Sequence, residues 1–215
     1  MRIQPWNLVF LVAFIAYLGI RYFFARQTRG NEKAVSRVGR DGILMAIVSV
    51  GTLVLPTLYL FTPWLAFADY RLPAWAPWFG ALVMCLALWL FWRSHADLGR
   101  NWSVTLEMRK GHQLVRHGVY RSIRHPMYAA IWLISIAQGL LLQNWLAGWS
   151  AIVTFGLMYF VRTSREERMM CEVFGEEYRI YMRQTGRIFP RFRAELARKL
   201  DAARNQRKNR RQRAA

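Results

Sequence analysis

Apolar residues run almost unbroken from Trp6 to Phe24, from Ile43 to Phe61, from Leu72 to Trp92 and from Pro126 to Val161, with the polar residues gathered between these runs. A bilayer core about 30 Å thick is crossed by about 20 mostly apolar helical residues. The first three runs each fit one crossing. Arg21 interrupts the first only near its end, where a long side chain reaches the headgroups, and Pro56 is expected to kink the second. The fourth run is too long for one span and is broken by Gln143-Asn144, which predicts two short helices joined by a tight turn. The pattern therefore predicts an all-α, polytopic membrane protein of about five transmembrane helices, the last two forming a hairpin. Trp6, Tyr22, Tyr59, Trp64, Trp75, Trp92, Trp145 and Tyr159 fall near the expected ends, as interfacial aromatics do.

Charge adds an orientation. The chain is 54% apolar yet carries a formal net charge of +19, a pairing typical of greasy spans alternating with basic loops. Segments 25–41, 93–126 and 162–215 hold five, seven and sixteen Lys and Arg, whereas 62–71 holds only Arg71 and the Gln143-Asn144 turn none. Five spans put all three basic segments on one face. The positive-inside rule makes that face cytoplasmic and puts the N-terminus outside, in a bacterial inner membrane or an endoplasmic reticulum. Arg2 before an apolar stretch resembles a signal peptide, but no small-residue cleavage site follows, so the first helix is expected to be retained. Cys85 lies within a span and Cys171 on the basic side, where thiols stay reduced; both are expected to be packing residues.

The candidate chemistry sits on the basic face. Residues 112–128, HQLVRHGVYRSIRHPMY, hold three of the four histidines, and ionisable groups crowded at a membrane boundary usually mark a site. Across the hairpin, the apolar run ends at Arg162, Glu166 and Glu167. No strand–GxGxxG–helix unit, GxSxG elbow, HExxH or CxxC is present, which argues against a Rossmann enzyme, a serine hydrolase and a zinc site; no metal is expected.

Gly99-Arg-Asn-Trp102-Ser, His112-Gln-Leu-Val115, Gly118-Val-Tyr120-Arg, Arg124-His-Pro-Met-Tyr128, Arg162-Thr-Ser-Arg-Glu166-Glu167, Phe174-Gly-Glu-Glu-Tyr178 and the stretch from Tyr181 to Pro190 together resemble the isoprenylcysteine carboxyl methyltransferases. Phospholipid N-methyltransferases share the C-terminal part of this set. The resemblance covers roughly residues 85–190 and implies an integral membrane enzyme that takes S-adenosylmethionine from the cytosol and a methyl acceptor from within the bilayer. Carried over by motif position, the cofactor shell comprises His112, Gln113, Leu114, Val115, Tyr120, His125, Pro126, Met127 and Tyr128, with Glu166 closing it. Arg162 falls at the acceptor-orienting arginine. Thr105 stands where eukaryotic members carry a cofactor-contacting glutamine, and its shorter side chain departs from that pattern.

Elementary chemistry is compatible with these roles. Tyr120 and Tyr128 offer ring faces to an adenine or a cation, at about 0.5–2 kcal/mol per cation–π contact. Glu166 suits an ammonium, and His112 and His125 suit ribose or carboxylate oxygens. Arg162 and Glu166, four apart, share a helix face. The plainer readings are structural. His125-Pro126 opens a helix, Thr163-x-x-Glu166 and Ser164-x-x-Glu167 fit capping boxes, Arg116, Arg121 and Arg124 act as headgroup or topology charges, and His95 and His117 are boundary residues.

The organisation expected is a two-helix membrane region over 1–71, a methyltransferase-like core over 72–190 and a basic cytoplasmic tail over 191–215. The tail holds ten Lys and Arg against Glu195 and Asp201. It suits anionic lipid headgroups, at about 1 kcal/mol per basic residue, rather than nucleic acid. The first expectation for function is methylation of a lipophilic acceptor, foremost the carboxylate of a prenylated cysteine. Behind it stand a phospholipid amine or thiol methyltransferase, an NADPH-dependent sterol-type reductase and a non-enzymatic basic scaffold.

Overall fold

The computed structural model describes residues 4–27, 33–36, 41–99, 107–109 and 114–191. Within them, helix α1 runs Pro5–Gln27, α2 Asp41–Ser49, α3 Leu55–Phe61, α4 Trp75–Leu98, α5 Pro126–Leu142, α6 Trp145–Phe174 and α7 Glu176–Gln184. Single 3-10 turns occupy Ala66–Ala68 and Gly118–Arg121. A short antiparallel ribbon, β1 (Lys33–Ser36) against β2 (Glu107–Arg109), is the one sheet among the described residues.

Four stretches are long and apolar enough to cross a bilayer: Pro5–Gln27, Gly42–Phe61, Trp75–Leu98 and Trp145–Phe174; α5 is a shorter apolar helix. Their surface is inside-out relative to a water-soluble bundle. Val153 is 63% exposed and Phe160 70% exposed on α6, while Ala151, Phe155, Met158 and Tyr159 face inward. Lipid tails are as apolar as leucine, so such outward side chains cost nothing in a membrane, and helix association rests on close packing instead. The α5–α6 crossing shows this: a Cβ on Gly148 would lie 3.1 Å from the Cα of Gly139, so any side chain there would force the two backbones apart.

The second span is not a simple proline kink. Residues Val50–Val54 form a π-turn between α2 and α3, and the Leu55 N–H bonds the Val50 carbonyl five residues back. The next bond in that register would need an N–H on Pro56, which has none. The Gly51 carbonyl is instead met by Gln138 Nε2 from α5 and Ser150 Oγ from α6, each at 3.0 Å. A backbone group in lipid must find such a partner within the protein.

The Gln143-Asn144 break is a built turn. Gln143 adopts the left-handed conformation (φ 46°), and Asn144 caps α6 by accepting from the N–H groups of Leu146 and Ala147 at 3.1 and 2.9 Å. The Asn144 amide donates to Leu65 O and Asp69 Oδ1 at 2.7 and 2.9 Å, tying the hairpin tip to the 62–71 loop. The following helix is longer than the expected span. It continues past Val161 to Phe174, so Thr163 and Ser164 lie mid-helix and neither capping box exists. Among the described residues most buried apolar side chains fall in two clusters, with a small third around Met169. One, near the hairpin tip, includes Phe10, Tyr59, Leu60, Met84 and Leu141. The other, towards the opposite end, includes Phe91, Tyr128, Ile131, Phe155 and Tyr159 and is sealed by Leu44, Met45 and Val48 of α2.

Candidate active site

The second apolar cluster gives way to polar groups where α5 begins and α6 passes Arg162. Pro126 occupies the first turn of α5, with His125 at the N-cap position. Pre-set proline φ suits that position, and no N–H is lost there. Four residues on α6 turn inward: Arg162 and Glu167 are each 8% exposed, Thr163 is buried and Glu166 half-buried. The Tyr128 hydroxyl donates to Glu166 Oε2 at 2.8 Å. The Tyr128 ring stacks on His125 at 5.4 Å with planes 11° apart, and its other neighbours are Phe155 and Tyr159. Three predicted positions, His125, Tyr128 and Glu166, thus meet beside the aromatic cluster, and Arg162 is buried one helical turn before Glu166 on α6.

Tyr120 is placed beside them. Its hydroxyl donates to Ser94 O of α4 at 3.2 Å, and its carbonyl accepts from Tyr181 Oη of α7 at 2.6 Å. Burial, then the nearby Glu166 charge, pushes its phenol well above the usual range, so it remains a neutral donor. Its 3-10 turn is anchored by Asp97, which accepts from the Val119 N–H at 2.8 Å and from Arg93 at 2.6 Å. Gly118 has φ +56°, and a Cβ there would collide with the Asp97 carboxylate. Met127 is half-buried against the second apolar cluster, and Leu114 and Val115 are half-buried ahead of the turn. Thr105, His112 and Gln113 lie outside the described residues.

Several residues take places that the sequence reading did not assign. Arg124 is no headgroup or topology charge: its side chain is buried and donates to Glu167 Oε1 through Nε and Nη2 at 3.2 and 3.1 Å. Glu167 also receives His125 Nε2 at 3.3 Å and Arg187 Nε at 3.2 Å, with a further contact from Arg187 Nη2. Backbone bonds reinforce this junction: Arg124 N to Gly186 O at 2.8 Å, His125 N to Arg187 O at 2.9 Å and Gly186 N to Ser122 O at 3.2 Å. Both Arg124 and Glu167 stand inside the motifs already noted; what the sequence lacks is any signal that Arg187 joins them. His95 is no boundary residue but wholly buried in α4, with Nδ1 2.8 Å from Phe91 O and Phe24 against its ring. Cys85 and Cys171 are free thiols. No group of three or more His, Cys, Asp or Glu among the described residues has the arrangement of a metal site.

Fold and site together define a polytopic helical membrane protein with a polar cluster set against aromatic rings at one end of its hairpin. Residues 80–172 match the isoprenylcysteine carboxyl methyltransferase (ICMT) family. Over this stretch the chain is similar to that family of membrane methyltransferases. The protein-S-isoprenylcysteine O-methyltransferase of Tribolium castaneum is 33% identical over 90 residues, 42% of this chain and 32% of that one; the chain thus matches about a third of that relative's length. A probable protein-S-isoprenylcysteine O-methyltransferase of Oryza sativa subsp. indica is 22% identical over 182 residues, 84% of this chain and 92% of the relative. A solved structure of the eukaryotic intramembrane Ras methyltransferase ICMT superposes with a TM-score of 0.53 at 23% identity, over 88% of this chain and 69% of that one; this likeness concerns the fold.

Proposed function

We propose that this protein transfers a methyl group from S-adenosylmethionine to the carboxylate of a prenylated cysteine or a similar amphiphile. The observation that carries the reading is the meeting of Glu166, Tyr128 and His125 beside the aromatic cluster, with Arg162 buried one helical turn before Glu166. A cationic, zwitterionic donor needs an anion and ring faces, and an amphiphilic acid needs a cation at the foot of an apolar wall.

The residues present fit that donor. Glu166 is half-buried and oriented by the Tyr128 hydroxyl, which leaves its carboxylate able to accept from an ammonium. The stacked His125 and Tyr128 rings provide a flat wall for an adenine or a cation. Thr105, His112, Gln113, Leu114, Val115, Tyr120, Pro126 and Met127 complete the proposed shell. When bound, S-adenosylmethionine supplies an electrophilic methyl on a sulfonium. The chain itself has to orient and to exclude water. A C-terminal carboxyl of pKa about 3.5 is already ionised at neutral pH, so no general base is required. Arg162 would hold the acceptor oxygens by a two-pronged guanidinium contact and so present them to the methyl group that a bound donor would supply. The apolar walls keep water out, which favours the approach of an anion to a sulfonium.

Within this proposal, residues 72–190 form the catalytic core and 1–71 a membrane region packed on it, through contacts such as Tyr17 with Phe91 at 4.7 Å. The basic segments and the site face the cytoplasm, and the tail from Arg191 rests on anionic headgroups. The test pairs a farnesylated cysteine analogue with its amide, using wild type and Arg162→Ala. Methylation of the acid alone, abolished in Arg162→Ala with S-adenosylhomocysteine binding retained, is expected. Arg162→Lys should recover little, because a point charge does not reproduce the fork. Turnover of a lipid amine or a thiol with neither farnesyl compound accepted would overturn the reading.

A further inference from the structure

Glu166 and Glu167 are neighbours on α6 but do different things. Glu167 accepts five N–H groups: two from Arg124, one from His125 and two from Arg187. Four of these converge on Oε1 and one, from Arg187, reaches Oε2, so Glu167 is engaged by the chain's own donors. Its partners come from two separate stretches of chain. Arg124 and His125 form the corner before α5, while Arg187 belongs to the segment after α7. Arg124 Nη1 adds bonds to Met182 O, at 3.0 Å, and to Thr185 O. Thr185 is itself buried, its hydroxyl bonded to Tyr181 O at 2.6 Å. Gly186 admits no side chain, since a Cβ would collide with Phe189 O.

We propose that Glu167 is a positioning residue which, through Arg124 and Arg187, clasps the segment Thr185–Ile188 against the His125–Pro126 corner and so holds His125 and Tyr128 in donor-binding geometry. The inference rests on the methyl-donor reading above. Two paths run from the clasp to the donor pocket. One is direct, from Glu167 Oε1 to the His125 ring that stacks on Tyr128. The other is through backbone, because the Arg187 carbonyl receives the His125 N–H. Arg187 is the accessible member: its side chain is 45% exposed and lines an open cleft of about 670 Å³ with Ser164, Arg168, Cys171, Arg179 and Met182. Glu166, His125 and Tyr128 do not line that cleft.

The experiment measures S-adenosylhomocysteine affinity by calorimetry on the purified full chain, for wild type, Arg187→Gln, Glu167→Gln and the double variant. Backbone amide exchange at 182–188 is followed in parallel without ligand. Arg187→Gln is expected to weaken binding about tenfold, the range in which loss of a supporting partner acts on the group it orients, and to speed exchange at 185–188. Glu167→Gln should weaken binding at least as much. The double variant should be no weaker than Glu167→Gln alone, since both changes undo one clasp. Arg187→Gln carries the test if Glu167→Gln does not fold. A merely structural role would lower the melting temperature and leave affinity unchanged. Wild-type affinity in Arg187→Gln, or losses that multiply in the double variant, would overturn the clasp. Absence of binding in wild type would instead sink the methyl-donor reading, and unchanged exchange in Arg187→Gln would then reject the clasp on its own.

Discussion

Gln138→Leu tests the account of the π-turn in the second span. The Gln138 side chain is 1% exposed and donates to Gly51 O at 3.0 Å and Ala147 O at 2.7 Å. Hydrogen bonds between helices in a membrane average about 0.6 kcal/mol and reach about 1.7. Losing two therefore costs roughly 1–2 kcal/mol, with leucine refilling most of the volume. Gly51 O still accepts from Ser150 Oγ, so Ser150→Ala alone should cost less than about 1 kcal/mol. Together the two changes strand a buried carbonyl that Pro56 cannot serve, and an unmet buried acceptor costs about 1–3 kcal/mol. The double variant should accordingly be destabilised by more than the sum of the singles. Restoring an N–H with Pro56→Ala should recover much of that excess. The assay is reversible unfolding in mixed micelles, followed by tryptophan fluorescence. Additive single losses, or no relief from Pro56→Ala, would refute the reasoning that Gln138 and Ser150 stand in for the missing proline N–H.

Two further outcomes are expected. Gly118→Ala strains a positive-φ position at a cost of order 1–3 kcal/mol and pushes against the Asp97 carboxylate; S-adenosylhomocysteine binding should fall while the Gln143-Asn144 end of the bundle keeps its amide protection, and unchanged binding would reject the Asp97-anchored turn as part of the site. Single cysteines introduced at His117 and at Trp64, both exposed, should label from opposite faces of sealed vesicles, with His117 on the cytoplasmic side; labelling of both from one face would disprove the five-span topology.

The sequence offered candidate positions for the site, not their wiring. The motif RHPMY and the run from Arg162 to Glu167 stand out as candidates because ionisable residues at a membrane boundary are costly to place, and the structure brings His125, Tyr128, Glu166 and Glu167 together. Residue type does not separate two adjacent glutamates, however. Glu166 faces Tyr128 and Glu167 faces Arg124, His125 and Arg187 because successive helical positions turn by about 100°, and only the neighbours packed around α6 decide what each meets. Arg187 falls within the Tyr181–Pro190 stretch, but nothing there names its partner, which lies 20 residues away and is reached through the turn at Gly175 and the return of α7.

Spans and hairpin were legible in the sequence alone, because transfer of apolar residues into hydrocarbon is a local, additive property of a stretch of chain. Pairings across the bundle were not. That Gly51 O is met from α5 and α6, that Arg124 turns inward to Glu167, and that α6 runs on to Phe174 rather than ending at Val161 all depend on which distant segment arrives within about 3 Å of a polar atom. Hydrogen bonds and ion pairs are short-ranged and directional, so their partners become defined only when packing has brought the helices together.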